Sequence, residues 1–140
     1  MNIRAIFNVV GVLLILISGL TLAPIGVSMY FDHDPIEGFM SETSAFKWTF
    51  GLSLISGLLL WKLFPSGLNK LRDREGFAIV TASWVSISLF GALPLYLSGV
   101  CPEFIDAFFE STSGFTTTGA SILQDIDAVP HGILFWRNLM

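Results

Sequence analysis

Charge is scarce in this chain. Lys, Arg, Asp and Glu together make up 13% of its 140 residues, about half the share a soluble domain carries. Hydrophobic residues make up 53%, and mean hydropathy is +0.72. That balance excludes an ordinary water-soluble domain and predicts an integral membrane protein. Cysteine occurs once, as Cys101, so no disulfide can form within the chain and the redox compartment stays open. Basic residues number seven and form no basic aromatic face, which excludes nucleic acid as a partner.

What is present comes in long apolar blocks. Between Arg4 and Asp32 there is no charged residue, so a first spanning helix is expected over 5–31, long enough for about 30 Å of hydrocarbon. Arg4 ahead of an apolar run would also open a signal peptide. The run far exceeds the roughly 7–15 residues of such a core, however, and no clear A-x-A site closes it. A second span is expected over 45–64. Lys47 and Lys62 can snorkel at its ends, Trp48 and Trp61 suit the interfaces, and Gly51, Ser53, Ser56 and Gly57 allow close packing. A third is expected over 76–99, with Pro94 loosening its last turns.

The loops set direction. Residues 31–44 carry Asp32, Asp34, Glu37 and Glu42 without Lys or Arg, whereas residues 62–75 carry Lys62, Lys70, Arg72 and Arg74. The positive-inside rule places the basic loop and the N-terminus in the cytoplasm and the acidic loop outside.

After the third span the composition changes. Pro102, Glu103 and Asp106 suit the first turns of a helix. Phe104, Ile105, Phe108 and Phe109 alternate with Asp106 and Glu110, predicting a short amphipathic helix over 103–113 that Gly114 ends. Phe115-Thr-Thr-Thr-Gly-Ala120 follows, rich in hydroxyls and small residues. A half-helix dipping into the membrane aims its negative end at mid-depth, and backbone oxygens of Thr116 to Gly119 can replace the water around a cation. Gly119 permits a backbone conformation that a β-branched residue resists. An external loop with a threonine-rich turn is the plainer alternative. A further helix is expected to start over 133–140. Residues 1–75 thus hold two preliminary spans and the basic loop, and residues 76–140 hold the first part of a pore unit.

The stretch from Asp106 to Ala120, D-A-F-F-E-S-T-S-G-F-T-T-T-G-A, resembles the first pore loop of the Trk/Ktr/HKT superfamily of potassium transporters, and within it the TrkH-type membrane subunit. Arg74-Glu-Gly-Phe77 resembles that family's entry into its first pore-domain helix, Gly91-Ala-Leu-Pro94 that helix's end, and Phe135-Trp-Arg-Asn-Leu139 the approach to the next helix. The resemblance implies an all-α membrane protein for potassium uptake across the cytoplasmic membrane, with no reaction catalysed and no cofactor. Four helix–pore loop–helix units would enclose one path for K+. Main-chain oxygens of Thr116, Thr117, Thr118 and Gly119 would form one of four filter strands, with threonine hydroxyls in support. It also implies a homodimer and a cytosolic nucleotide-binding regulatory subunit. The strand is not the T-V-G-Y-G of tetrameric potassium channels. Because the chain stops at Met140, it is read as an N-terminal fragment of such a transporter, not expected to conduct alone.

Several residues leave alternatives open. Glu110 either draws cations in or bonds to amides behind the filter; Arg137 is either a barrier charge near the pore or an interfacial anchor. His33 among acids is either a metal ligand or part of a solvated loop. Two further functions compete: a non-conducting membrane interaction module, and an intramembrane serine hydrolase with Ser121 as nucleophile and His131 as base, for which no orienting acid is evident.

Overall fold

The structure of the protein, a computed structural model, describes residues 3–31, 34–65, 73–123 and 125–140. Asp32 and His33 of the acidic loop and Lys70 and Arg72 of the basic loop lie outside the described residues. Among the described residues all regular structure is helical and there is no strand.

The uncharged N-terminal run forms two helices instead of one, α1 (Ile3–Leu20) and α2 (Leu22–Phe31). Pro24 has no N–H for the Leu20 carbonyl, and its ring crowds that group. The join is kept by the Thr21 hydroxyl, which donates to Ser18 O at 2.7 Å, and by the Thr21 and Ile25 amides, bonded to Ile17 O and Thr21 O at 3.0 and 3.2 Å. Together they make a 29-residue stretch that is long and apolar enough to cross a membrane. Helix α4 (Asp73–Leu97), with 25 residues, meets the same measure. Helix α3 (Glu42–Leu63), with 22 residues, is about 33 Å long. Its lysines, serines and threonines dilute its apolar character, and it is not one of those two.

Helix α3 starts at Glu42, ahead of the expected Ala45, because the Ser41 side chain caps it by accepting from the Ser44 amide. Glu42 is thereby withdrawn from the acidic loop: it is 4% exposed, not solvated as its neighbours Asp34 and Glu37 are.

Helices α1 and α3 pack backbone to backbone. A Cβ on Gly11 would lie 2.8 Å from Gly57 O, and a Cβ on Gly57 would lie 2.8 Å from Gly11 O. Only glycine permits that approach. The core runs from Val10, Leu14 and Ile17 of α1 through Phe46 of α3 and Leu95 of α4 to Ile133 and Trp136, the last two on α6 (His131–Leu139). Helix α5 (Phe104–Phe115) lies against α4, where Gly91 leaves room for Ser111 and the Phe115 ring.

Candidate functional site

Helix α5 ends later than its glycine suggested. Gly114 lies inside the helix, and its lack of a side chain makes room for Met140, whose Cβ is 2.9 Å from the ideal Cβ position. The stop comes from the threonines. The Thr118 amide bonds Ser113 O and the Thr117 amide bonds Gly114 O, both at 3.0 Å, which is the paired closure of a Schellman motif. Its left-handed position is occupied by Thr117, with φ 55°, where glycine is usual. A β-branched residue there is strained by about 1–3 kcal/mol. Gly119 also has positive φ, at 75°, and the turn is therefore contorted at two alternate residues.

The threonine hydroxyls stiffen this turn. Thr116 Oγ1 donates to Thr112 O at 2.7 Å and lies 2.8 Å from Thr118 Oγ1. Since the Thr116 proton is used by the helix, Thr118 is the donor of that second bond. Ser113 Oγ donates to Ala120 O at 2.6 Å, joining the helix to the far end of the turn. Thr116, Thr117, Thr118, Gly119 and Ala120 are all exposed.

Glu110 anchors the segment beyond the turn. It is 1% exposed. Its Oε1 accepts from Ser121 Oγ and the Ile122 amide, each at 2.6 Å, and from the Leu123 amide at 3.4 Å. Arg137 Nε donates to Oε2 at 3.2 Å. Of the two roles open to Glu110, the bonds formed are those to backbone amides. Arg137 faces this carboxylate from α6. The face that α5 buries is the one bearing Ala107, Glu110 and Ser111, while Ile105 and Phe109 are exposed. Non-helical backbone needs polar partners when water is excluded, and Glu110 supplies them from that face.

Helix α6 reaches the turn through two adjacent residues. Besides Arg137, it carries the buried Trp136, whose ring meets Phe115 edge-on at 6.5 Å and Phe46 at 6.1 Å. Trp136 Nε1 donates to Gly91 O at 3.0 Å, beside the Phe90 carbonyl that Pro94 leaves without its helical donor. A cleft of about 390 Å³ is lined by Glu110, Ser113, Thr117, Gly119, Ala120 and Arg137.

Other residues singled out in the sequence fall elsewhere. Ser121, the candidate nucleophile, donates its hydroxyl hydrogen bond to Glu110 Oε1, and the His131 ring stacks on Phe31 at 4.4 Å. Burial pushes the Cys101 thiol up to about 11, with the carboxylates of Glu110 and Asp106 adding to the effect. Among the described residues there is no group of three or more His, Cys, Asp or Glu able to hold a metal ion.

Comparison with known proteins decides the family. Residues 42–140 match the family model of TrkH, described as a cation transport protein. The chain belongs to the TrkH family. It is 40% identical over its whole length to the Trk system potassium uptake protein TrkH of Escherichia coli K12 and 36% identical over 99% of its length to the TrkH of Halomonas elongata. It spans 28% and 27% of those two relatives. A solved structure, the crystal structure of the potassium transporter TrkH from Vibrio parahaemolyticus, superposes with a TM-score of 0.85 at 35% identity, covering 98% of this chain and 28% of that one.

Within this TrkH-family segment, three site features were not read from the sequence. Glu42 accepts the Gly132 amide at 3.0 Å across 90 positions, and only its place next to the Ser41 cap hinted that it was helical. Trp136 stands in the Phe135-Trp-Arg-Asn-Leu139 stretch, which carries no local sign of its bond to α4. Thr117 in the left-handed region had no sequence signal, since glycine at 114 and 119 pointed elsewhere.

Proposed function

We propose that this chain is the N-terminal part of a potassium-uptake protein of the cytoplasmic membrane. Main-chain oxygens of Thr116, Thr117, Thr118 and Gly119 form one of four filter strands around the path of K+. Helices α1–α2, α3 and α4 cross the membrane with the N-terminus in the cytoplasm, and α5 is a re-entrant pore helix. Glu110 and Arg137 support the strand from behind. The complete protein is a homodimer that transports ions without catalysing a reaction and binds a cytosolic nucleotide-binding regulatory subunit.

The observation that carries this reading is the strained threonine turn. Thr117 is kept in an unfavourable conformation on an exposed surface while Glu110, Ser113 and Arg137 hold the backbone on either side. Strain of that kind persists where surrounding structure over-determines it, and it gathers at sites that bind. Dehydrated cations are recognised by backbone oxygens held at fixed positions. The family and the potassium-uptake names of the relatives agree with that chemistry.

The test is potassium-limited growth of an uptake-deficient strain carrying the full-length gene with Gly119→Ser. A serine at φ 75° distorts the turn, so uptake is expected to fall or its discrimination between potassium and sodium to shift. Unchanged uptake and discrimination would remove the filter assignment.

A further inference from the structure

Helix α6 begins badly by its own means. Its N-cap is Pro130, which offers no side-chain hydrogen bond, and the first amides of a helix need acceptors. The acceptor for Gly132 comes from α3: Glu42 Oε2, at 3.0 Å. The approach is close enough that a Cβ on Gly132 would lie 2.8 Å from that oxygen and 2.9 Å from Ser28 Cβ. Glu42 is 4% exposed, and its other oxygen, Oε1, has no hydrogen-bond partner among the described residues. A carboxylate kept half-satisfied in the interior is an expensive way to cap a helix, and a neutral residue would serve stability as well or better.

The contact is repeated one turn along. Phe46 stands four residues after Glu42 on α3, and Trp136 stands four residues after Gly132 on α6; their rings meet edge-on. Two rungs therefore join α6 to α3 in one register, beside the packing of α6 on α2 through Ser28 and Phe31. Trp136 then touches Phe115 at the start of the threonine turn, and Arg137 bonds the Glu110 that holds the segment after it. A shift of α6 moves both ends of the turn at once.

We infer that Glu42 is a positioning residue for the ion path, acting through its hydrogen bond to Gly132 and the placement of α6. This rests on the reading of Thr116–Gly119 as the filter strand. It assigns the α1–α3 part of the chain a role in setting ion discrimination, beyond membrane insertion.

The experiment measures potassium and sodium uptake in the strain above, with the amount of membrane-inserted protein determined for each variant. Glu42→Ala is expected to lower potassium-over-sodium discrimination about tenfold at an unchanged protein level, the scale of loss that small misplacements produce. Glu42→Gln, which keeps an acceptor oxygen, is expected to stay within about twofold of the parent. Parental discrimination in Glu42→Ala overturns the inference, and so does a Gln variant that falls as far as the Ala variant. Should Glu42→Ala not reach the membrane, Gly132→Ala decides: it displaces α6 with the carboxylate present, and parental discrimination in that variant overturns the inference equally. Gly119→Ser separates the two readings. If it alters discrimination and Glu42→Ala does not, only the brace falls; if it alters nothing, the filter reading and the brace fall together.

Discussion

The Glu110 carboxylate accepts the Ile122 amide at 2.6 Å across twelve positions of chain, so the threonine turn is closed at its base by a buried ion. That ion also takes the Ser121 hydroxyl and Arg137 Nε. Removing it takes the acceptor from the Ser121 hydroxyl, the Ile122 amide and Arg137 Nε, which are only partly buried. Glu110→Ala is expected to cost about 2 kcal/mol of stability, the scale of lost hydrogen bonds to a charged group, read as a lower melting temperature of the detergent-solubilised protein. Arg137→Ala removes a partner that is 25% exposed and is expected to cost about 1 kcal/mol. The double variant should lose less than the sum of the two, because the guanidinium has no buried charge left to meet once Glu110 is gone.

Thr117 gives the opposite sign. Thr117→Gly relieves the left-handed strain and keeps both amide bonds of the closure, so it is expected to raise stability by about 1 kcal/mol. Thermal unfolding of the solubilised variant measures this. A stability gain accompanied by weaker ion discrimination would show that the strain serves transport.

The α1–α3 crossing predicts a contrast among glycines. Gly11→Val or Gly57→Val forces side-chain atoms into backbone 2.8 Å away and is expected to destabilise by about 2 kcal/mol. Gly51→Ala, a helical position with nothing within 4 Å, is expected to be neutral or to stabilise by about 0.5 kcal/mol. Folded yield after solubilisation separates the two groups.

Cys101 is expected to resist thiol reagents. It is 2% exposed, and its thiol is pushed up to about 11, so very little thiolate exists at neutral pH. Maleimide labelling at pH 7 should proceed only after unfolding; raising the pH towards 11 increases the thiolate but leaves the burial in place. Prompt labelling of the native protein would contradict the burial.

Much of the architecture was legible because it follows from composition. The apolar runs before Asp32 and after Gly76 carry a local physical signal and both are helical, the first as two helices and the second unbroken past Pro94 to Leu97; the hydroxyl-rich stretch after Phe115 leaves the helix, as its composition suggests. Local signals failed where a distant partner decides. Gly114 has the residue type of a helix end, but the neighbouring Met140 claims its lack of a side chain. Glu42 has the composition of a solvated loop, but a helix ninety residues away needs its oxygen. The join at Thr21 shows a different limit: hydropathy sees one block, and the effect of Pro24 on a single carbonyl is invisible to it. At the turn itself the residue types were legible and the conformation was not, since three adjacent threonines do not announce which will be forced to positive φ.

The closure of α5 changes where attraction for a cation resides. The helix's last free carbonyls would ordinarily present a partial negative pole, yet those of Thr112, Ser113 and Gly114 are already taken by the amides of Thr116, Thr118 and Thr117. The pole is largely quenched by the chain's own next residues. On the proposed filter reading, an ion beneath α5 would be held by the handful of oxygens that follow, and its recognition would be governed by the shape of a few peptide units more than by the field of a helix.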